Sequence, residues 1–180
     1  MHLTIAARNA AYAIVATTLL TLASPLLSGA QPAETNAVGP GDQKFVTQAI
    51  AAGDQEIAEG EAMKNSSDPS VAYFANRMIK DHTAANAEIG AVAKELGLKT
   101  PPLNPKAPAQ AMTPAAYMQK EVQDHQQAIA LFKGEMGNAG GSQQLRTAAA
   151  QAMPALQAHL QMAQQYVSTG KITPVATPTP

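Results

Sequence analysis

Two stretches of this chain carry the same phrase, Phe74-x6-Asp81-His82-x2-Ala85 and Tyr117-x6-Asp124-His125-x2-Ala128. In both, the histidine falls near the middle of an amphipathic segment and on its apolar stripe. His159 holds the same position in a third segment; the remaining histidine, His2, lies near the N-terminus. An imidazole on a core-facing stripe must find a partner inside, because an unmatched buried polar group is costly. Any fold for this chain therefore has to enclose three rings and satisfy them.

The surrounding pattern is helical. Aromatic residues are few, Ala, Gln and Met are abundant, and the apolar residues recur at three- and four-residue steps. The first predicted helix runs over residues 42–64, with Val46, Ala49, Ile50, Gly53, Ile57 and Gly60 inward. Asp68-Pro69 caps and starts a second, with the stripe Val71, Phe74, Met78, Ile79, His82, Ala85, Ile89, Val92 and Leu96, ended by Gly97. Thr113-Pro114 repeats the start signal for a third, with Met118, Val122, His125, Ile129, Phe132 and Met136 inward. Ser142 caps a fourth, which continues to about residue 167 with Leu145, Met153, Leu156, His159, Leu160, Ala163 and Tyr166 inward. Pro154 inside it predicts a kink or a gap in the hydrogen-bond ladder.

The connections decide the topology. Residues 65–68 and 137–141 are too short for anything but antiparallel neighbours. Residues 98–112 contain Pro101, Pro102, Pro105 and Pro108, and at about 3.3–3.6 Å per extended residue they can travel the length of a helix. The expected fold is an all-α four-helix bundle, ferritin-like, with one long Pro-rich connection between its second and third helices. A simple up-down bundle with an irregular loop is the alternative.

The ends of the chain give an address. His2 and Arg8, an apolar run over residues 10–23 and Ser28-Gly29-Ala30 read as a secretory signal over residues 1–30. That run is shorter than the roughly 20 residues that span a bilayer. Residues 31–42 read as a flexible linker, 43–168 as the bundle, and 169–180 as a disordered Thr/Pro-rich tail. A periplasmic or outer-membrane-associated protein is expected, with no transmembrane helix in the mature chain. The chain has no cysteine, so its core alone must hold it in an oxidising compartment. With a formal net charge of -1 and scattered Lys and Arg, a nucleic-acid partner is not expected; an envelope or membrane-surface partner is.

Several phrases together match a known pattern: Phe45-Val46 with Gly53-Asp54-Gln55-Glu56-Ile57, Phe74-Ala75-Asn76-Arg77-Met78-Ile79-Lys80-Asp81-His82-Thr83, Tyr117 with Asp124-His125 and Ala128-Ile129-Ala130-Leu131-Phe132, and Met153-Pro154-Ala155-Leu156-Gln157-Ala158-His159-Leu160. Over residues 43–167 the chain resembles the domain of unknown function 4142 family, described as exported or outer-membrane proteins with a ferritin-like four-helix fold. Glu59 departs from the pattern, which usually has an apolar residue before Gly60. The resemblance implies a fold and an export route rather than a reaction.

Chemistry is expected where the middles of the helices meet. Glu56, His82, His125 and His159 fall at similar heights and form a candidate metal set, since neutral imidazole suits zinc, copper or iron. The plainer reading is a hydrogen-bonded polar core without a bound cofactor. Di-iron sites of ferritin-like bundles use Glu-x-x-His pairs, but Ile79, Val122 and Leu156 precede these histidines by three, so that ligand set is absent. Asp81 and Asp124 point about 100° off the stripe, where they either reach a neighbouring helix's histidine or are solvated, solvation being the ordinary fate of a charged side chain. Met78 and Met162 share helical faces with His82 and His159, which suits cuprous copper or simple core filling. Glu61 reads as solvated. No phosphate loop or nucleophile motif is present, so no catalytic residue is assigned. The leading expectation is a non-enzymatic exported bundle of the bacterial cell envelope, acting in binding or stress tolerance. The alternative is a metal-binding bundle, and a third is a surface protein whose tail and Pro-rich connection reach a membrane or wall partner.

Overall fold

The computed structural model describes residues 37–102 and 112–173. The expected signal, the first half of the linker, the middle of the Pro-rich connection and the end of the Thr/Pro tail lie outside the described residues. Four helices and no strand make up those described: α1 (Asp42–Met63), α2 (Pro69–Glu95), α3 (Pro114–Met136) and α4 (Gln143–Thr169). The start signals work as side-chain caps. Asp68 accepts from the Ser70 and Val71 amides, Thr113 from Ala116, and Ser142 from Leu145.

α4 continues as one helix across Pro154, with the expected gap of one backbone hydrogen bond. Proline deletes one donor there, while Met153 and Leu156 on either side stay buried in the core and hold the helix together. Met136, placed inward by periodicity, is 41% exposed, and Glu135 is buried in its stead. One residue turns a helix by about 100°, so a stripe extrapolated to the last turn readily misses by one position.

α1 packs on α2 and α3, and α4 packs on the same two. End contacts fix the directions. The Asp42 carboxylate accepts from Asn138 Nδ2 (3.0 Å) and the Ser142 amide (2.9 Å), joining the start of α1 to the α3–α4 turn. Tyr166 donates to Asp68 (2.6 Å), joining the end of α4 to the start of α2. Phe74 and Tyr117, each near the start of its helix, meet edge to face at 5.9 Å. α2 and α3 are therefore parallel and diagonal, so the chain passes from one end of the bundle to the other between them. The fold is thus an all-α four-helix bundle of two antiparallel pairs joined by one crossover.

Two apolar clusters fill the interior. One gathers Phe45, Ile50, Ile89, Phe132 and Leu145, and the other Val71, Phe74, Met78, Tyr117 and Met162. Between them lies a level of buried polar side chains: Glu56, Glu59, His82, Glu121, His125 and His159. Among the described residues no helix is long and apolar enough to cross a membrane.

Small residues let α1 approach α2 closely. A Cβ at Gly60 would stand 3.0 Å from the Ala75 carbonyl oxygen and 2.9 Å from Ile79 Cγ1, whereas one at Gly90 would meet nothing within 4 Å. Gly60→Ala is expected to cost about 1–3 kcal/mol by forcing the helices apart. Gly90→Ala is expected to stabilise by about 0.5–1 kcal/mol, because mid-helix glycine is entropically costly. Urea unfolding of both variants checks the pair; equal effects would contradict the described packing.

Candidate metal centre

α2, α3 and α4 each bring one imidazole to mid-height. His82, His125 and His159 are buried, with ring centroids 5.2 Å (125–159), 5.4 Å (82–159) and 5.6 Å (82–125) apart. One nitrogen from each ring lies within 4.8 Å of one from each of the others. The helix middles that the sequence placed at one height do meet.

The outer nitrogens of two rings are fixed by acceptors. His125 Nδ1 lies 2.9 Å from the Glu121 carbonyl oxygen, one turn back on α3. His159 Nε2 lies 3.0 Å from Asp81 Oδ2 on α2. A carbonyl and a carboxylate accept only, so each of these nitrogens carries the proton. That leaves His125 Nε2 and His159 Nδ1 as lone pairs facing each other at 3.3 Å. His82 Nε2 is buried with no hydrogen-bond partner.

The electrostatics keep the rings neutral. Burial pushes all three imidazoles below their ordinary range, most strongly His82, where the two neighbouring rings add to the effect. Asp81 is the opposite case. Burial alone would raise it, but the hydrogen bonds from His159 and from Arg77 Nε (2.9 Å) outweigh burial and hold the carboxyl at about 2. Asp81 thus takes the interhelical role that ordinary expectation gave second place, because α4 packs on α2 with His159 in reach. Asp124 remains at the surface margin beside Lys120.

Glu56 does not join the three rings directly. It stands with Glu121 and His125 in one group, and with Glu59 and Asp124 in another. Burial, then the neighbouring charge, raises Glu56, and burial also raises Glu121, to about 7. Oxygens of the two carboxyls lie within 4.8 Å of each other, and burial favours the protonated form of both. Glu59, the departure noted in the sequence, is buried and pairs with Lys120 at 2.8 Å. Met78 and Met162 sit in the apolar cluster with Phe74 and Tyr117, as core filling. Sequence reasoning missed Glu121, although its position four before His125 puts both on one face.

These shifts set the pH dependence of the metal-free protein. Glu121 holds its proton to about pH 7 when folded, against an ordinary value of 4.5. Its contribution to stability is full below about pH 4.5 and lost as pH rises through about 7. The imidazoles act oppositely, since the unfolded chain takes up protons first below about pH 6.5. Glu121→Gln should therefore raise the Tm more at pH 8 than at pH 5, as followed by thermal circular dichroism. Equal shifts at both values would mean that Glu121 ionises as freely as an exposed carboxyl.

No curated protein and no solved structure matches the chain. The family model described as Domain of unknown function (DUF4142) matches residues 27–166. The chain belongs to the domain of unknown function 4142 family.

Proposed function

We propose that this protein is a transition-metal-binding bundle in which His82, His125 and His159 supply the ligands, and that it works in the bacterial cell envelope. One observation carries the reading: two imidazole lone pairs, their outer nitrogens already committed, face each other at 3.3 Å in a buried site. Without a cation between them the arrangement is repulsive, and burial disfavours a proton as that cation. Ligand nitrogens of a tetrahedral zinc site, each about 2.0–2.1 Å from the ion, stand about 3.3 Å apart. A modest shift of the His82 side chain brings its orphaned Nε2 in as the third donor.

The surroundings suit the same reading. Metal-ligating histidines generally donate their other N–H to a carboxylate or a backbone carbonyl, and His159 and His125 have those two kinds of acceptor. A set of imidazoles without thiolate favours cupric copper and zinc among the available ions. The envelope assignment rests on the signal-like residues 1–30, and a soluble periplasmic fraction is where the protein should be found.

Tag-free protein should retain zinc or copper on the histidines. Replacing His82, His125 or His159 by alanine should release that ion. Asp81→Asn should weaken binding about 10–100-fold as an outer support. At free metal 100-fold above Kd, the folded state gains about 2.7 kcal/mol, visible as a higher Tm. Wild-type protein whose melting ignores both metals would sink the proposal. A polar core without metal makes a contrary demand: His82→Leu would then be neutral or stabilising in every buffer, with or without metal, since it removes an unmatched donor-acceptor ring.

A further inference from the structure

The polar level holds more donors than three imidazoles use. On its α1–α3 side, Glu56 and Glu121 are 6% and 0% exposed. Glu56 Oε2, both Glu121 oxygens and the Tyr117 hydroxyl make no hydrogen bond of normal geometry, although Tyr117 lies close beside Glu121. Carboxyl oxygens stripped of water and left unmatched are among the most costly groups that a core can contain. Lys120 does not relieve them, because its ammonium is engaged by Glu59 and Asp124.

The donors are also continuous. Ligand atoms of Glu56, Glu121 and His125 lie within 4.8 Å of one another, and so do those of Glu56, Glu59 and Asp124. A ladder of oxygens thus runs inward from Asp124, whose side chain is 27% exposed, through Glu59 and Glu56 to Glu121 and the rings. His125 stands at the join: its Nε2 faces His159 while its Nδ1 lies 3.3 Å from Glu121 Oε2.

We propose that Glu56 and Glu121, with Glu59 behind them, form a second divalent-cation site beside the three histidines, so that the polar level holds a pair of ions with His125 as the wall between. The pairing rests on the histidine site proposed above. The two halves differ in chemistry: oxygen donors favour manganese or magnesium, whereas imidazoles favour copper and zinc. Asp124 and Glu59 provide the approach from solvent, and a cation at Glu56 and Glu121 supplies the positive charge that Lys120 leaves lacking.

Selective loading tests this. Tag-free protein is first loaded with one equivalent of cupric copper and then titrated with Mn2+, with metal content and the copper electron paramagnetic resonance signal followed together. The expected result is one copper and one manganese per chain, with the copper signal broadened by the nearby manganese spin. In Glu56→Gln/Glu121→Gln protein, copper should remain, manganese should not bind, and the signal should stay sharp. Manganese that fails to bind the wild type, or that binds without altering the copper signal, overturns the second site without needing any variant. A double variant that still takes up manganese overturns it too. Failure of the histidine site reads differently, as copper content equal in wild type and His159→Ala.

Discussion

The structure turns on a layer of imidazoles and carboxyls removed from water at half the height of an otherwise oily bundle. Apolar clusters above and below it supply the burial that holds the helices together, at roughly 25 cal/mol per Å² of apolar surface. The layer itself works against them. Each ring or carboxyl taken from water must be matched inside, and Glu56, Glu121 and His82 are left with unmatched atoms. Hydrophobic residues of similar volume would pack these positions at no such cost, so the layer adds no stability that apolar side chains would not supply better.

The bundle brings that layer together whatever the direction of its helices. α1 and α4 each touch both α2 and α3, and every helix delivers its mid-point to the same level. The two neighbour pairs then divide the work. α2 with α4 builds the Asp81–His159 contact, anchored by Arg77. α1 with α3 builds the carboxyl side, bounded by the Lys120–Glu59 pair. His125 projects from α3 toward the α4 ring and belongs to both halves.

Much of this was legible before any coordinates. Capping residues at Asp68, Thr113 and Ser142 marked three helix starts, and the repeated Asp-His phrase placed two rings on inward stripes. The height argument required only that helix middles meet, which holds whichever way the helices run. What periodicity could not decide was rotation. A charged residue beside a stripe reads as solvated until its neighbour is known, so Asp81 stayed open between water and a neighbouring histidine, with water the ordinary fate, and Glu121 drew no reading at all. Glu56 was placed at the correct height, but height says nothing about which side of the layer a residue occupies. The exposed Met136 and buried Glu135 show the same limitation at a helix end.

If the layer holds ions as proposed, the division of donors across it sets which ions each side prefers. On the ring side the fixed geometry is set by neutral groups whose outer hydrogen bonds hold their orientation, so selectivity there follows the affinity of imidazole for late transition ions. On the carboxyl side, charge rather than orientation dominates, and burial favours a proton on the carboxyls in place of an ion. A proton and a divalent cation are thus rival solutions to the same crowding of negative charge. Which one prevails depends on pH and on free metal, whereas on the ring side burial has already disfavoured the proton. On the reading proposed above, the two halves of one layer are poised differently: the imidazoles would take an ion across neutral pH, and the carboxyls only as they surrender their proton.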